Sequence, residues 1–279
     1  DSNIKKNDVV IFLNFRPDRA LQLSQAIFDE KFDKFERVNI YPIFFASMVE
    51  YRKGFPKKIL FPKQYINLPL GNIISTYGLR QLRISESEKF PHVTYFFNGG
   101  TSIRYTGEDR IEVPSPSVST YDLMPEMSAL KLTDILTKRI QSNIYDFVVV
   151  NFANPDMVGH TGNIPATIKA ISTVDYCVNT LVNEFTARGG VVIITSDHGN
   201  SEELINIDTN EMDTEHSYNP VPLIICGLSV TTNKLKYGAL KDIAPTILNI
   251  MGIPLPSEMT GSSLLYSTSQ NIFNSPTYV

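Results

Sequence analysis

Five short apolar runs, separated by helical patterns, constrain this chain more than any other feature: Val9–Phe15, Val93–Phe97, Phe147–Phe152, Val191–Thr195 and Pro222–Cys226. Each is too short for a buried helix and lacks the alternation of a half-solvated strand. Each therefore reads as a strand covered on both faces. Between them lie helical patterns. Ile168, Ile171, Val174, Val178 and Leu181 recur at spacings of three and four ahead of Gly189-Gly190. Glu126 to Ile140 carries a second such pattern, and Leu240 to Met251 a third, closed by Gly252 and Pro254. Strands and helices in alternation predict an α/β fold: an open, mostly parallel sheet covered by helices on both faces. Residues 31 to 70 differ in character, being rich in Phe, Tyr and Lys and punctuated by Pro42, Pro56, Pro62 and Pro69. The expected division is a smaller α/β unit over 1–66 and a larger one over 67–279.

Composition narrows the function classes. The 42% of hydrophobic residues in 279 is enough for a sizeable core, so disorder is excluded as the governing state. A net charge of −4 gives no general attraction to nucleic acid or to anionic membranes. An anionic substrate would need local basic side chains instead. Cys177 and Cys226 lie in apolar segments without a Cys-x-x-Cys spacing, which reads as free thiols in a reducing cytoplasm. No run approaches the ~18 to 20 apolar residues of a membrane span, and the first residues lack a signal-peptide pattern. The chain enters its first strand-like run within a few residues and without a methionine, which reads as a start partway through a longer protein.

In an open α/β sheet, ligands bind beyond the carboxyl ends of the strands. Three segments put metal-compatible residues there. In Asn154-Pro155-Asp156-Met157-Val158-Gly159-His160, one helical turn brings Asp156 and His160 to one face. The competing reading is a helix cap followed by an unrelated histidine. In Asp197-His198-Gly199-Asn200, two adjacent candidate ligands precede a glycine that permits a sharp bend. The alternative is a polar turn with Asp197 bonded to its own backbone. In Glu215-His216-Ser217-Tyr218-Asn219-Pro220, His216 precedes the last run. Taken alone, it is more simply structural. The chain has four histidines, and three sit at such positions. His92, ahead of Val93–Phe97, is read as structural. Two carboxylates and three imidazoles are too many for one tetrahedral ion and suit a pair, the arrangement that clamps an in-line phosphoryl displacement.

The order Asn-Pro-Asp-Met-Val-Gly-His-Thr-Gly (154 to 162), Asp-His-Gly-Asn (197 to 200) and His-x-x-Asn-Pro-Val-Pro (216 to 222) resembles the metal-binding segments of the alkaline phosphatase superfamily. The particular wording looks like that of the cofactor-independent phosphoglycerate mutases. Asn14-Phe15-Arg16-Pro17-Asp18-Arg19, Glu88-Lys89-Phe90-Pro91-His92-Val93-Thr94, Phe97-Asn98-Gly99-Gly100 and Thr120-Tyr121-Asp122-Leu123 agree, and the resemblance runs through nearly the whole chain, as the C-terminal part of such an enzyme. It implies interconversion of 3-phosphoglycerate and 2-phosphoglycerate through a phosphoserine, with two divalent ions. Mn2+ is foremost, with Zn2+, Co2+ or Mg2+ as alternatives. It further implies that Asp156, His160 and His216 hold one ion and that Asp197 and His198 contribute to the other. Arg16, Arg19 and Lys89 would contact phosphoglycerate or the transferring group, Lys89 also serving catalysis. On the same resemblance, 1–66 ends a substrate-binding domain, 67–279 is an incomplete phosphatase-like domain, and the protein is a cytoplasmic monomer.

Independently of the resemblance, Pro17 is suited to open a helix, which sets Arg16 and Arg19 three apart on its first turn. An anion bound there would offset the unfavourable meeting of cations with the helix dipole. The competing reading is two exposed arginines beside Asp18. The family's nucleophilic serine and one aspartate ligand have no counterpart in this sequence. Ser201 follows the Asp197-His198 motif and is a poor substitute. The alternatives are another metal-dependent phosphatase or phosphomutase of the same superfamily, or an inactive metal-binding fragment.

Overall fold

The computed structural model describes residues 3–15, 17–38, 40, 42–62, 66–206, 208–227 and 235–266. The chain falls into two compact units, residues 1–65 and 66–279. In the first, β1 (Val9–Phe12), β2 (Phe44–Ser47) and β3 (Lys58–Ile59) form a parallel sheet in the order β1-β2-β3. Helix α1 (Pro17–Phe28) starts at its proline and makes the crossover from β1 to β2. Its buried residues Ala20, Ser24 and Phe28 recur every four positions, and Phe28 stacks on Phe45 of β2 with ring centroids 3.8 Å apart.

The larger unit is built on β4 (Gln81–Glu86), which pairs in parallel with β5 (Glu108–Val113) on one side and β6 (Phe147–Asn151) on the other. Leu82 and Ile84 point into a core shared with Val113 and with Leu132, Leu136 and Ile140 of α3 (Ala129–Gln141). The alternate residues Gln81 and Arg83 point the other way. There Gln81 donates to the Gly71 carbonyl of α2 (Leu70–Thr76) at 2.8 Å, and the Arg83 guanidinium lies 4.0 Å from the Phe97 ring centroid. From β6 the chain passes through α4 (Asn154–Gly159) and α5 (Ile164–Thr186) to β7 (Val192–Thr195), which pairs antiparallel with β8 (Leu223–Cys226). Helix α6 (Ile243–Ile250) follows a 3-10 turn and supplies Leu248 to a second core with Ile73 and Ile74. Among the described residues, no helix is long and apolar enough to cross a membrane.

The architecture is α/β with parallel sheets, and several expectations about its parts need correction. Val93–Phe97 is not a strand: Ser87–Lys89 and His92–Phe96 are helical turns. Pro91 suits the start of a helical turn, and the Thr94 hydroxyl closes onto the Phe90 carbonyl at 2.7 Å, so local bonding overrides aromatic and β-branched preference. Helix α3 starts at Ala129 rather than Glu126, because Met127 takes a left-handed φ of 46°. On α5, the buried residues are Ala166, Thr167, Ala170, Thr173, Cys177 and Leu181, whereas Ile168 and Ile171 are 62% and 42% exposed. Small residues let α5 approach α4 closely, so the larger isoleucines are displaced outward.

Candidate metal centre

Asp156, His160, Asp197 and His198 follow the carboxyl ends of strands, and His216 lies ahead of one. Beyond β6, α4 places Asp156 in its first turn, and the helical bond from His160 N–H to the Asp156 carbonyl (3.0 Å) sets the two side chains on one face. Beyond β7, Asp197 and His198 enter a turn held by the Ser196 hydroxyl, which donates to the His198 carbonyl at 2.7 Å. His216 arrives on the segment leading to β8. An isolated antiparallel bridge, Gly199 to Ser217, joins the last two segments, with Ser217 N–H donating to the Gly199 carbonyl at 3.0 Å. That bridge lays the rings of His198 and His216 together, centroids 3.7 Å apart and 17° from parallel. Gly199 is needed for this close approach rather than for an unusual φ, since a Cβ there would overlap the Ser217 hydroxyl and the Glu202 carboxylate.

The segments converge on one carboxylate. Asp156 Oδ1 lies 3.1 Å from His160 Nε2, 3.1 Å from His216 Nε2 and 3.8 Å from His198 Nε2. Ligand atoms of Asp156, His198 and His216 all fall within 4.8 Å of one another, the one such group among the described residues. His160 sits against the same oxygen and 3.1 Å from His216 Nε2. The same His198 Nε2 is 3.6 Å from Asp197 Oδ2, so that one nitrogen is near two carboxylates. The ring nitrogens facing away are engaged by carbonyls. His160 Nδ1 meets the Thr214 carbonyl at 2.6 Å, and His198 Nδ1 meets that of Gly199 at 3.3 Å. A carbonyl can only accept, so each Nδ1 carries a proton, and Nε2 is the atom a neutral ring would offer to a cation. One carboxylate oxygen and several imidazole nitrogens of fixed tautomer suit a first-row divalent cation.

Lys89 ends the 3-10 turn after β4, and its ammonium is bonded to Asp156 Oδ2, with only 9% of the side chain exposed. Burial pushes the Asp156 carboxyl up, but the hydrogen bond and charge of Lys89, with His160 and His198, hold it below its ordinary value. Ser201 donates its hydroxyl to the Pro155 carbonyl. Arg19 is exposed on the first turn of α1, and Arg16 lies outside the described residues.

Two residues of this neighbourhood, Asn200 and Glu202, were passed over in the sequence, and a third, His92, was read as structural. Asn200 donates from Nδ2 to Asp156 Oδ1 at 3.1 Å. Glu202 accepts the Asn200 N–H at 2.8 Å, the Ser217 hydroxyl, and Asn219 Nδ2 at 3.2 Å, tying the two histidine-bearing segments together. His92 is half-buried. Burial and the Lys89 charge lower its pKa, while Asp197 and Asp156 oppose them, so it lies in the field of the same site. A polar residue within three positions of a candidate ligand was the available signal for Asn200, whereas nothing local pointed to His92.

A family model described as the metalloenzyme superfamily matches residues 13–255, and the chain belongs to that superfamily. Its curated homologues are cofactor-independent phosphoglycerate mutases. The chain is 49% identical over 265 residues to the 2,3-bisphosphoglycerate-independent phosphoglycerate mutase of Vesicomyosocius okutanii, covering 95% of this chain and 52% of that protein. It is 49% identical over 264 residues to 2,3-bisphosphoglycerate-independent phosphoglycerate mutase 2 of Methanosarcina barkeri, covering 95% and 50%. Among solved structures, a Leishmania mexicana phosphoglycerate mutase crystallised at low cobalt concentration matches with a TM-score of 0.71 and 32% identity, over 95% of this chain and 52% of that one. The chain thus spans about half the length of the relatives it matches.

Proposed function

We propose that this chain carries the cation-binding part of a phosphoglycerate mutase that interconverts 3-phosphoglycerate and 2-phosphoglycerate through a phosphoserine at a two-metal centre. The supporting observation is the convergence of three imidazoles and a buried ammonium on Asp156, in a chain whose relatives bear that name. Asp156, His160 and His216 would hold one divalent ion, with Asp197 and His198 contributing to a second. Mn2+ is favoured, and Zn2+, Co2+ or Mg2+ remain open to the same donors. Bound there, the ions would supply the Lewis-acid charge that stabilises a phosphoryl group in transfer.

The residues of the chain do the rest. Nδ1–H donation from His160 and His198 to carbonyls holds both rings with Nε2 facing the centre. Lys89 neutralises the outer oxygen of Asp156 and stands where its ammonium could also meet a phosphoryl oxygen. Arg16 and Arg19 would fix the substrate through bidentate contacts to its phosphate or carboxylate. Ser201 is committed to the Pro155 carbonyl, so we place the nucleophilic serine and a further aspartate ligand in the part of such a mutase that these residues do not cover. On this reading residues 1–65 are the end of the substrate-binding domain and 66–279 belong to the catalytic one. The whole enzyme would be a cytoplasmic monomer acting on phosphoglycerate.

A chimera tests the proposal. Residues 1–279 replace the matching half of the Vesicomyosocius okutanii enzyme, and conversion of 3-phosphoglycerate to 2-phosphoglycerate is followed with added Mn2+. The expected result is turnover comparable to that of the parent. A folded, Mn2+-loaded chimera without turnover, beside an active parent, would overturn the assignment.

A further inference from the structure

Asp156 has two oxygens and about four lone-pair directions, and hydrogen bonds from its neighbours decide which of them is left facing a cation. Lys89 takes Oδ2. Oδ1 is met by the carboxamide of Asn200, which is 4% exposed and donates from Nδ2 at 3.1 Å. A carboxylate cannot donate, so the amide can only face it through its nitrogen. The other end of the amide, Oδ1, is buried without a hydrogen-bond partner and rests against the backbone of Gly159. A methyl group at Gly159 would overlap it, so the missing side chain there makes the space the amide fills. The Asn200 backbone is held in turn by Glu202, which accepts its N–H at 2.8 Å.

We propose that Asn200 is a positioning residue of the cation site. Its amide occupies one lone-pair direction of Asp156 Oδ1, so that the direction left over faces His160, His198 and His216. Asn200 touches neither substrate nor cation and acts through Asp156 alone, with Gly159 as the backbone seat that keeps the amide in place. The inference rests on the proposed cation site and adds to it a determinant of affinity.

Two substitutions break the same contact from opposite sides. Asn200→Leu keeps the branched shape and removes the donor, losing no other side-chain hydrogen bond. Gly159→Ala replaces neither Asn200 nor any candidate ligand, suits a helix, and its Cβ displaces the Asn200 amide. Mn2+ affinity of residues 1–279 is measured by titration calorimetry, the visible absorption is recorded at saturating Co2+, and melting of the cation-free proteins is followed by circular dichroism. Each variant should bind Mn2+ about 10- to 100-fold more weakly, the range for loss of a group that orients a ligand. The Co2+ bands should shift while cation-free melting stays near that of the parent, and the double variant should lose little more than either single one. Parental affinity and unshifted bands in Gly159→Ala would overturn the role of Asn200, whatever the folding of Asn200→Leu. Absence of Mn2+ and Co2+ binding by the parent protein would instead overturn the cation site, and this inference with it.

Discussion

Asp156 and Lys89 show how one contact sorts the roles of neighbouring residues. The ammonium lies on the oxygen that faces away from the imidazoles, so it stabilises the carboxylate while repelling any cation beside it. Lys89→Met should therefore leave Mn2+ affinity equal to or tighter than that of the parent while turnover in the chimera collapses. His216→Ala removes a donor and should weaken Mn2+ binding by more than about 100-fold, beyond the usual loss from an orienting group. Titration calorimetry beside the mutase assay separates the two, and a Lys89→Met protein that loses Mn2+ as His216→Ala does would refute this division. On the proposed function, Arg19 would serve recognition rather than cation binding. Arg19→Ala should abolish turnover with metal content unchanged, and Arg19→Lys should rescue poorly because it lacks the planar fork. Wild-type catalytic efficiency in Arg19→Ala, measured on 3-phosphoglycerate, would remove it from the site.

At the next scale, elements are placed by what they bury. Helix α5 presents Ala170, fully buried, to the packed side and Ile168 to solvent. Ala170→Leu should cost about 1–3 kcal/mol through overpacking, and Ile168→Ala under about 0.5 kcal/mol. Urea unfolding checks the pair, and the reverse ranking would mean that the helix is rotated. The two histidine-bearing segments depend on Glu202. Burial would raise its carboxyl pKa, but the Ser217 hydroxyl, the N–H groups of Glu202 and Asn200, and Asn219 lower it to about 2. A depressed folded value means that the carboxylate's contribution is fully present above the ordinary glutamate range and lost as pH falls through about 2. Amide protection at Asn200 and Ser217, read by hydrogen exchange, should thus persist to about pH 4.5 and decline below it. Glu202→Gln should lower protection by about tenfold at neutral pH and flatten the acid dependence. Unchanged protection in that variant would show that the bridge needs no clamp.

The whole molecule leaves unfinished edges. Among the described residues, β6 is paired only with β4, and β7 only with β8. In the smaller unit, Val9, Ile11, Leu13 and Phe15 are each more than half exposed along one face of the chain. Unpaired strand edges and apolar stripes of this kind promote association. Residues 1–279 alone should therefore self-associate with rising concentration and show no mutase turnover. Light scattering and a 3-phosphoglycerate assay with Mn2+ test both. Robust turnover that vanished in Ser201→Ala would make Ser201 the nucleophile and reverse the reading of that residue.

What could be read from the residues alone was whatever repeats or clusters locally. Short apolar runs disclosed β1, β6, β7 and β8, and polar segments beside strand ends offered Asp156, His160, Asp197, His198 and His216 as candidate ligands. The central strand β4 escaped notice, although all six of its residues are buried. Gln81, Arg83, Ser85 and Glu86 make it look like a surface segment, and only partners remote in sequence let such groups be buried. The burial of Lys89 has no local sign either, since its counter-ion lies 67 residues away. Of the periodic residues of α5, Leu181 is buried while Ile168 and Ile171 are not, because hydrophobicity marks what could be buried and the space beside α4 decides what is. Candidate ligands are a matter of residue chemistry and can be proposed in one dimension. Which lone pair faces a cation, and which amide or carboxylate holds it there, depends on contacts 44 to 60 residues apart, and these exist only once the strands have brought their ends together.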